Sequence, residues 1–241
     1  MIACPMASRA GSAGLFLQSN AMPVFFSIGM HLLIPTVIWL VWKKKSDARA
    51  WPLFVGAMSY IVISLFRGMA RVVVLNEAVA EVPMLYNLLS ALLSGIAEEA
   101  GRYIVFRWVI RNYDRWEDAV TYSIGHMAAE SVLAGGIVYG MTLVDVPFFT
   151  IYAIRNHIFS AALSVIVFAA VHYDGIRLVF AAVGLHALCN FLHALNVSEI
   201  LPDVGYELLD LAVLVLMAFL AWRLYRQYSI PPEWETVADV S

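Results

Sequence analysis

Seven apolar runs, each long enough to cross a bilayer as a helix, leave this chain few other ways to fold. They occupy approximately residues 21–42, 51–75, 82–109, 119–143, 148–171, 178–195 and 207–225. In hydrocarbon a backbone must satisfy its own N–H and C=O groups, so runs of this length read as helices. Of the 241 residues, 62% are hydrophobic and 14% charged, where a soluble domain carries about 25% charged residues. The expected fold is all-α, a polytopic membrane bundle of about seven transmembrane helices.

The connectors alternate in charge. Lys43, Lys44, Lys45 and Arg49 follow the first run, Arg107, Arg111 and Arg115 the third, Arg177 the fifth, and Arg223 and Arg226 the last. The intervening connectors carry Glu77 and Glu81, then Asp145, then Glu199 and Asp203. Excess Lys and Arg mark the cytoplasmic side, which places the N-terminus outside and the C-terminus inside. Trp39, Trp42, Trp51, Tyr60, Trp108, Tyr152 and Trp222 fall mostly near run ends, as an aromatic belt requires. Residues 1–20 read as a flexible extension, 21–226 as the membrane domain and 227–241 as a disordered cytosolic tail. The net charge of −3 and the lack of a basic tract argue against a nucleic-acid partner. Cys4 and Cys189 are too few for a disulfide framework or a thiolate zinc site.

Against this apolar background, Ser94-Gly95-Ile96-Ala97-Glu98-Glu99-Ala100-Gly101-Arg102 stands out. Each charged residue at the centre of a membrane helix costs roughly 2.5–3.5 kcal/mol on insertion scales. A helix brings both Glu98 and Glu99 within reach of Arg102. The later runs add groups at similar depth. His126 and Glu130 lie four apart on one face of the fourth, and His157 follows Asn156 in the fifth. His186 and Asn190 share a face of the sixth, with His193 a turn beyond. Groups of this kind must face one another or a wet cavity.

Taken singly, each has a structural reading. The Glu98, Glu99 and Arg102 group can be an ion-pair lock, the histidines hydrogen-bonded packing residues, and Asn190 interhelical glue. His31 with Pro35, and His172, read as structural, and Arg67 and Arg71 as snorkelling or pairing with Glu77. Gly135, Gly136 and Gly140 suit close helix packing. Convergence of four consecutive helices points instead to chemistry. A carboxylate with imidazoles suits activation of water for attack on a carbonyl, with an imidazole–amide pair stabilising the oxyanion. The same groups, His126, His157 and His186 among them, suit zinc with an open position. The HExxH and Gly-x-Ser-x-Gly motifs are missing.

Glu98-Glu99-Ala100-Gly101-Arg102, Gly125-His126-Met127-Ala128-Ala129-Glu130 and His186-Ala187-Leu188-Cys189-Asn190 resemble, in order, the motifs of the YhfC family. That family is grouped with the type II CAAX prenyl endopeptidases, the PrsW proteases and the scaffold subunit of gamma-secretase. The resemblance runs from about residue 21 to 195. The Glu-to-Arg spacing is PrsW-like, whereas Asn190 ends the last motif as in the CAAX enzymes. The resemblance implies intramembrane proteolysis of glutamic or metal-dependent type. In it Glu98 is the base on water, His126 its partner, and His186 with Asn190 the oxyanion pair. Glu99, Arg102, Glu130 and His157 match family positions with less defined roles.

The expectation is an intramembrane endopeptidase in a prokaryotic plasma membrane. Its partners would be lipids and a membrane-associated peptide or protein, and zinc is the one cofactor implied. A non-catalytic scaffold would use the same polar cluster to assemble helices. A transporter would need a repeat of the first half in the second, which the sequence does not offer.

Overall fold

The structure is a computed structural model that describes residues 21–75, 79, 81–133, 146–173 and 175–229. Among these residues all regular structure is helical. Seven helices follow in order: α1 Ala21–Lys45, α2 Trp51–Val74, α3 Pro83–Ile104, α4 Trp116–Glu130, α5 Val146–His172, α6 Ile176–Val197 and α7 Asp203–Ser229. A π-helical turn, Val105–Val109, closes α3. The expected extension at 1–20, the Gly135, Gly136 and Gly140 group, Glu77 and Asp145 lie outside the described residues; of the tail expected at 227–241, residues 227–229 belong to α7 and the rest lie outside the described residues.

Four of the helices described are long and apolar enough to cross a membrane: those at Trp51–Val74, Thr150–His172, Ile176–Val197 and Asp203–Tyr228. α3 is not among them, because Glu98, Glu99 and Arg102 dilute its apolar stretch, and α4 runs for 15 residues shortly before the described stretch ends at residue 133. A helical membrane bundle is the result, as the apolar runs imply.

α5 is the axis of the bundle. Of its most apolar window 72% is buried, against 28% for α2 and 22% for α7. Leu163, Ile166, Val167, Phe168 and Ala169 of α5 are fully enclosed among the other helices. The peripheral α2 instead turns Leu65, Phe66, Met69 and Val72 outward, a lipid-facing surface in a membrane protein.

Two contacts fix the part of the bundle that carries the polar residues. α2 and α4 touch backbone to backbone. A Cβ on Gly125 would lie 1.9 Å from the Leu53 carbonyl oxygen, and one on Gly56 would lie 2.0 Å from that of Tyr122. No side chain fits at either position, so this approach requires glycine on both helices. At one end of the bundle, the connectors after α1 and α3 meet. Arg49 donates through Nε to Asp118 Oδ1 at 2.9 Å and through Nη2 to Oδ2. Asp118 also accepts from the Arg115 backbone N–H at 3.2 Å, capping α4. The hydrogen bond to Asp118 raises the Arg49 pKa above its ordinary value. Both connectors are Lys/Arg-rich, so their meeting agrees with a shared cytoplasmic side.

Candidate active site

α3 starts at Pro83, where a proline costs no hydrogen bond. Its buried face then runs Ser90, Ala91, Ser94, Gly95, Glu98, Glu99 and Arg102, a polar stripe at helical spacing. Gly95 lets α3 close on α6, since a Cβ there would stand 2.8 Å from the Val183 carbonyl oxygen. That approach sets Glu99 against His186, one turn further along each helix.

The two adjacent carboxylates have different partners. Glu99 is fully buried and spent on both oxygens: Oε2 accepts from Arg102 Nη1, and Oε1 accepts from His186 Nδ1 at 2.7 Å. Glu98 uses one oxygen, Oε1, which accepts from Arg67 Nη1 of α2. Its Oε2 faces His126 Nε2 at 3.6 Å and His186 Nε2 at 3.8 Å. This corrects two sequence expectations. Arg102 pairs with Glu99 and not with both glutamates, because Glu98 turns toward α2. Arg67 does not snorkel: it is buried, 4% exposed, as the countercharge to Glu98. Arg71 donates to Ser90 of α3.

The protonation pattern follows from these contacts. A carboxylate on Nδ1 makes His186 donate there, which leaves its Nε2 lone pair facing Glu98 in the neutral tautomer. Two acceptors then confront each other across 3.8 Å. A water, a proton or a cation between them relieves that. Both ring nitrogens of His126 are buried without a hydrogen-bond partner, as are Asn190 Nδ2, Ser160 Oγ and Arg102 Nε. The His126 ring is held edge-on by Tyr60 at 5.1 Å, and that of His186 by Phe159 at 5.3 Å.

Arg102, His126, Phe159, Ser160, His186 and Asn190 line one cavity with Glu98, Met127, Glu130 and Asn156. Its free space of about 10 Å³ is close to what a single water needs. The structure therefore brings together Glu98, Arg102, His126, Glu130, His186 and Asn190, with Glu99 directly behind His186. His157 does not line the cavity, and its Nδ1 donates to the Ala153 carbonyl at 2.8 Å. Ser160, an α5 hydroxyl absent from the sequence-derived set, does line it.

A metal fits part of this set. Among the described residues, ligand atoms of Glu98, His126 and Glu130 lie within 4.8 Å of one another. The unpartnered nitrogens of His126 and the two flanking carboxylates match a borderline divalent ion such as zinc. Of the expected trio His126, His157 and His186, His126 belongs to this group, and His157 is turned to its own helix.

A polytopic α-helical membrane protein with a buried glutamate–histidine centre is the class that fold and site define. Residues 30–151, about half of the chain, match the family described as YhfC intramembrane metalloprotease. The chain belongs to that family and is an integral membrane protein. It is similar to the uncharacterized membrane protein YhfC of Bacillus subtilis (strain 168), with 32% identity over 117 residues. That alignment takes in 46% of this chain and 45% of the relative, so it spans less than half of either. No solved structure matches. Glu98, Glu99, Arg102, His126 and Glu130 fall inside the family match, whereas His186 and Asn190 lie beyond it.

Proposed function

We propose that the protein is an intramembrane endopeptidase that hydrolyses a peptide bond with a water held between Glu98 and His126. The observation that carries this reading is the open oxygen of Glu98. It lies 3.6 Å and 3.8 Å from two imidazole nitrogens in a cavity sized for one water.

Each residue then has a distinct task. Arg67 grips Oε1 of Glu98 and keeps Oε2 aimed at the cavity. Glu98 takes up the proton of the water as it attacks, with His126 alongside to orient it. Glu99 fixes the His186 tautomer through Nδ1, and Arg102 holds Glu99 in turn. His186 in its imidazolium form and the Asn190 amide donate to the developing oxyanion, and Glu98 returns the water's proton to the leaving nitrogen as the C–N bond breaks. Glu130, four residues from His126, supplies the second carboxylate. A divalent metal would be held by Glu98, His126 and Glu130 and, when bound, would acidify a coordinated water and polarise the carbonyl.

The test is cleavage of membrane-embedded reporter peptides by detergent-purified protein, with zinc content read on the same sample, wild type beside Glu98→Gln and His126→Ala. Activity lost in both variants, with folding intact, supports the reading. If near-stoichiometric zinc is present and a chelator ends activity, the metal-dependent form applies; Glu98-dependent activity without metal supports the glutamate–water form. Retained activity in both variants sinks the endopeptidase reading, and a sample with neither metal nor activity favours the scaffold.

A further inference from the structure

A second, larger cavity has no part in the chemistry above. It measures about 370 Å³ and opens between α1, α4, α5 and α7. Trp42, Trp116, Trp222 and Tyr225 wall it, and Ala162 and Ala221 form part of its floor. Small residues from two helices face each other under four aromatic walls, which makes a trough in an otherwise convex lipid-facing surface. The aromatics lie near the C-terminal ends of α1 and α7 and at the start of α4, where a helix leaves the hydrocarbon for the headgroups.

Charge at the mouth identifies what fills it. Lys45 stands three residues beyond Trp42, and Arg226 four beyond Trp222, so each lies one turn outward on the face of a wall residue. Both are exposed, and Arg226 packs its guanidinium 5.6 Å from the Trp222 ring centre. Glu117, the acid on the cavity wall, lies 3.6 Å from Arg115 and is offset by it. The result is an apolar trough with a cationic mouth, complementary to a molecule with an aliphatic chain and an anionic head.

We propose that this trough binds one anionic phospholipid, its acyl chain between the tryptophans and its phosphate at Lys45 and Arg226. The lipid would wedge α1 and α7 onto α5 and make bundle stability depend on headgroup charge.

Native mass spectrometry of the full-length protein, equilibrated with equal amounts of phosphatidylglycerol and phosphatidylcholine, tests this. Wild type is expected to retain one phosphatidylglycerol in preference to phosphatidylcholine. Each basic residue near an anionic surface accounts for about a fivefold change, so the double variant Lys45→Glu/Arg226→Glu should lower retention at least about 25-fold. Both side chains are exposed, so this variant is expected to elute like wild type on size exclusion. Ala221→Trp, which fills the floor, should remove the bound lipid altogether. No headgroup preference, retention unchanged in the charge variant, or an adduct of polypeptide mass overturns the proposal.

Discussion

Two ion-pair clusters inside this bundle, one buried and one partly exposed, differ in what they leave unused. On one side, Arg67 and Arg102 face Glu98 and Glu99, and one Glu98 oxygen remains directed into a cavity. On the other, Arg155 of α5 lies 2.9 Å from Glu207 and 3.1 Å from Asp210 of α7. Its guanidinium also stacks on Tyr152, 4.2 Å from the ring centre, and donates to Tyr206 Oη at 3.4 Å. Arg155 is saturated, with two carboxylates and two aromatic rings around it, and it lines neither of the two cavities described above. The lesson is that charge inside a membrane bundle does not by itself mark a reactive site. What marks one is charge with an uncommitted lone pair and a place for a small molecule beside it.

That contrast can be broken by experiment, starting where the effect should be largest. Glu98→Gln should lower turnover per folded molecule about a thousandfold, within the range expected for losing a general base, and should also cost about 3–5 kcal/mol of stability, because it leaves the buried Arg67 without its countercharge. Turnover per folded molecule near wild type would mean that Glu98 is a lock like Arg155. Arg155→Met should share only the second effect, costing about 3–5 kcal/mol of stability by stranding Asp210 in the bundle. Denaturant unfolding in detergent reads that cost, and activity per folded molecule should stay within about twofold of wild type. Gly125→Val, which forces a side chain onto the Leu53 carbonyl, should cost about 3 kcal/mol or more by overpacking. Loss of expressed, monodisperse protein is its readout. Arg67→Met should lower kcat about 10- to 100-fold with little change in KM, because it misaims a base without removing it. Partial rescue by Arg67→Lys would separate positioning from packing. Glu207→Gln should move stability by less than about 1 kcal/mol, since Glu207 is 57% exposed and Asp210 still holds Arg155.

The sequence exposes these two clusters unequally. Glu98, Glu99 and Arg102 interrupt an apolar run, and His126 with Glu130 and His186 with Asn190 announce shared faces through spacing of four. Those signals suffice to gather the centre, and the apolar runs suffice for a helical membrane bundle. They do not distribute partners. Which arginine takes Glu98 depends on how α2 crosses α3, and position within a run says nothing of that. Arg67 still left a trace, since Gly56, Tyr60, Ile63 and Arg67 form a buried stripe at helical spacing on α2. Arg155 and Asp210 carry the plainer signal of lying inside the runs 148–171 and 207–225. His157 is the reverse case. It sits at a suitable depth, yet its rotation on α5 commits one ring nitrogen to Ala153, and rotation is a tertiary quantity.

The glycine seam between α2 and α4 also governs approach. With carbonyl oxygens standing where side-chain carbons would otherwise be, that flank is closed to a peptide. The lining of the small cavity accordingly draws on α3, α4, α5 and α6 and takes nothing from α2. If the proposed endopeptidase activity holds, a peptide reaching Glu98 enters along a flank other than the α2–α4 seam, and selectivity for cleavage position begins with that trajectory, before any side-chain pocket is consulted.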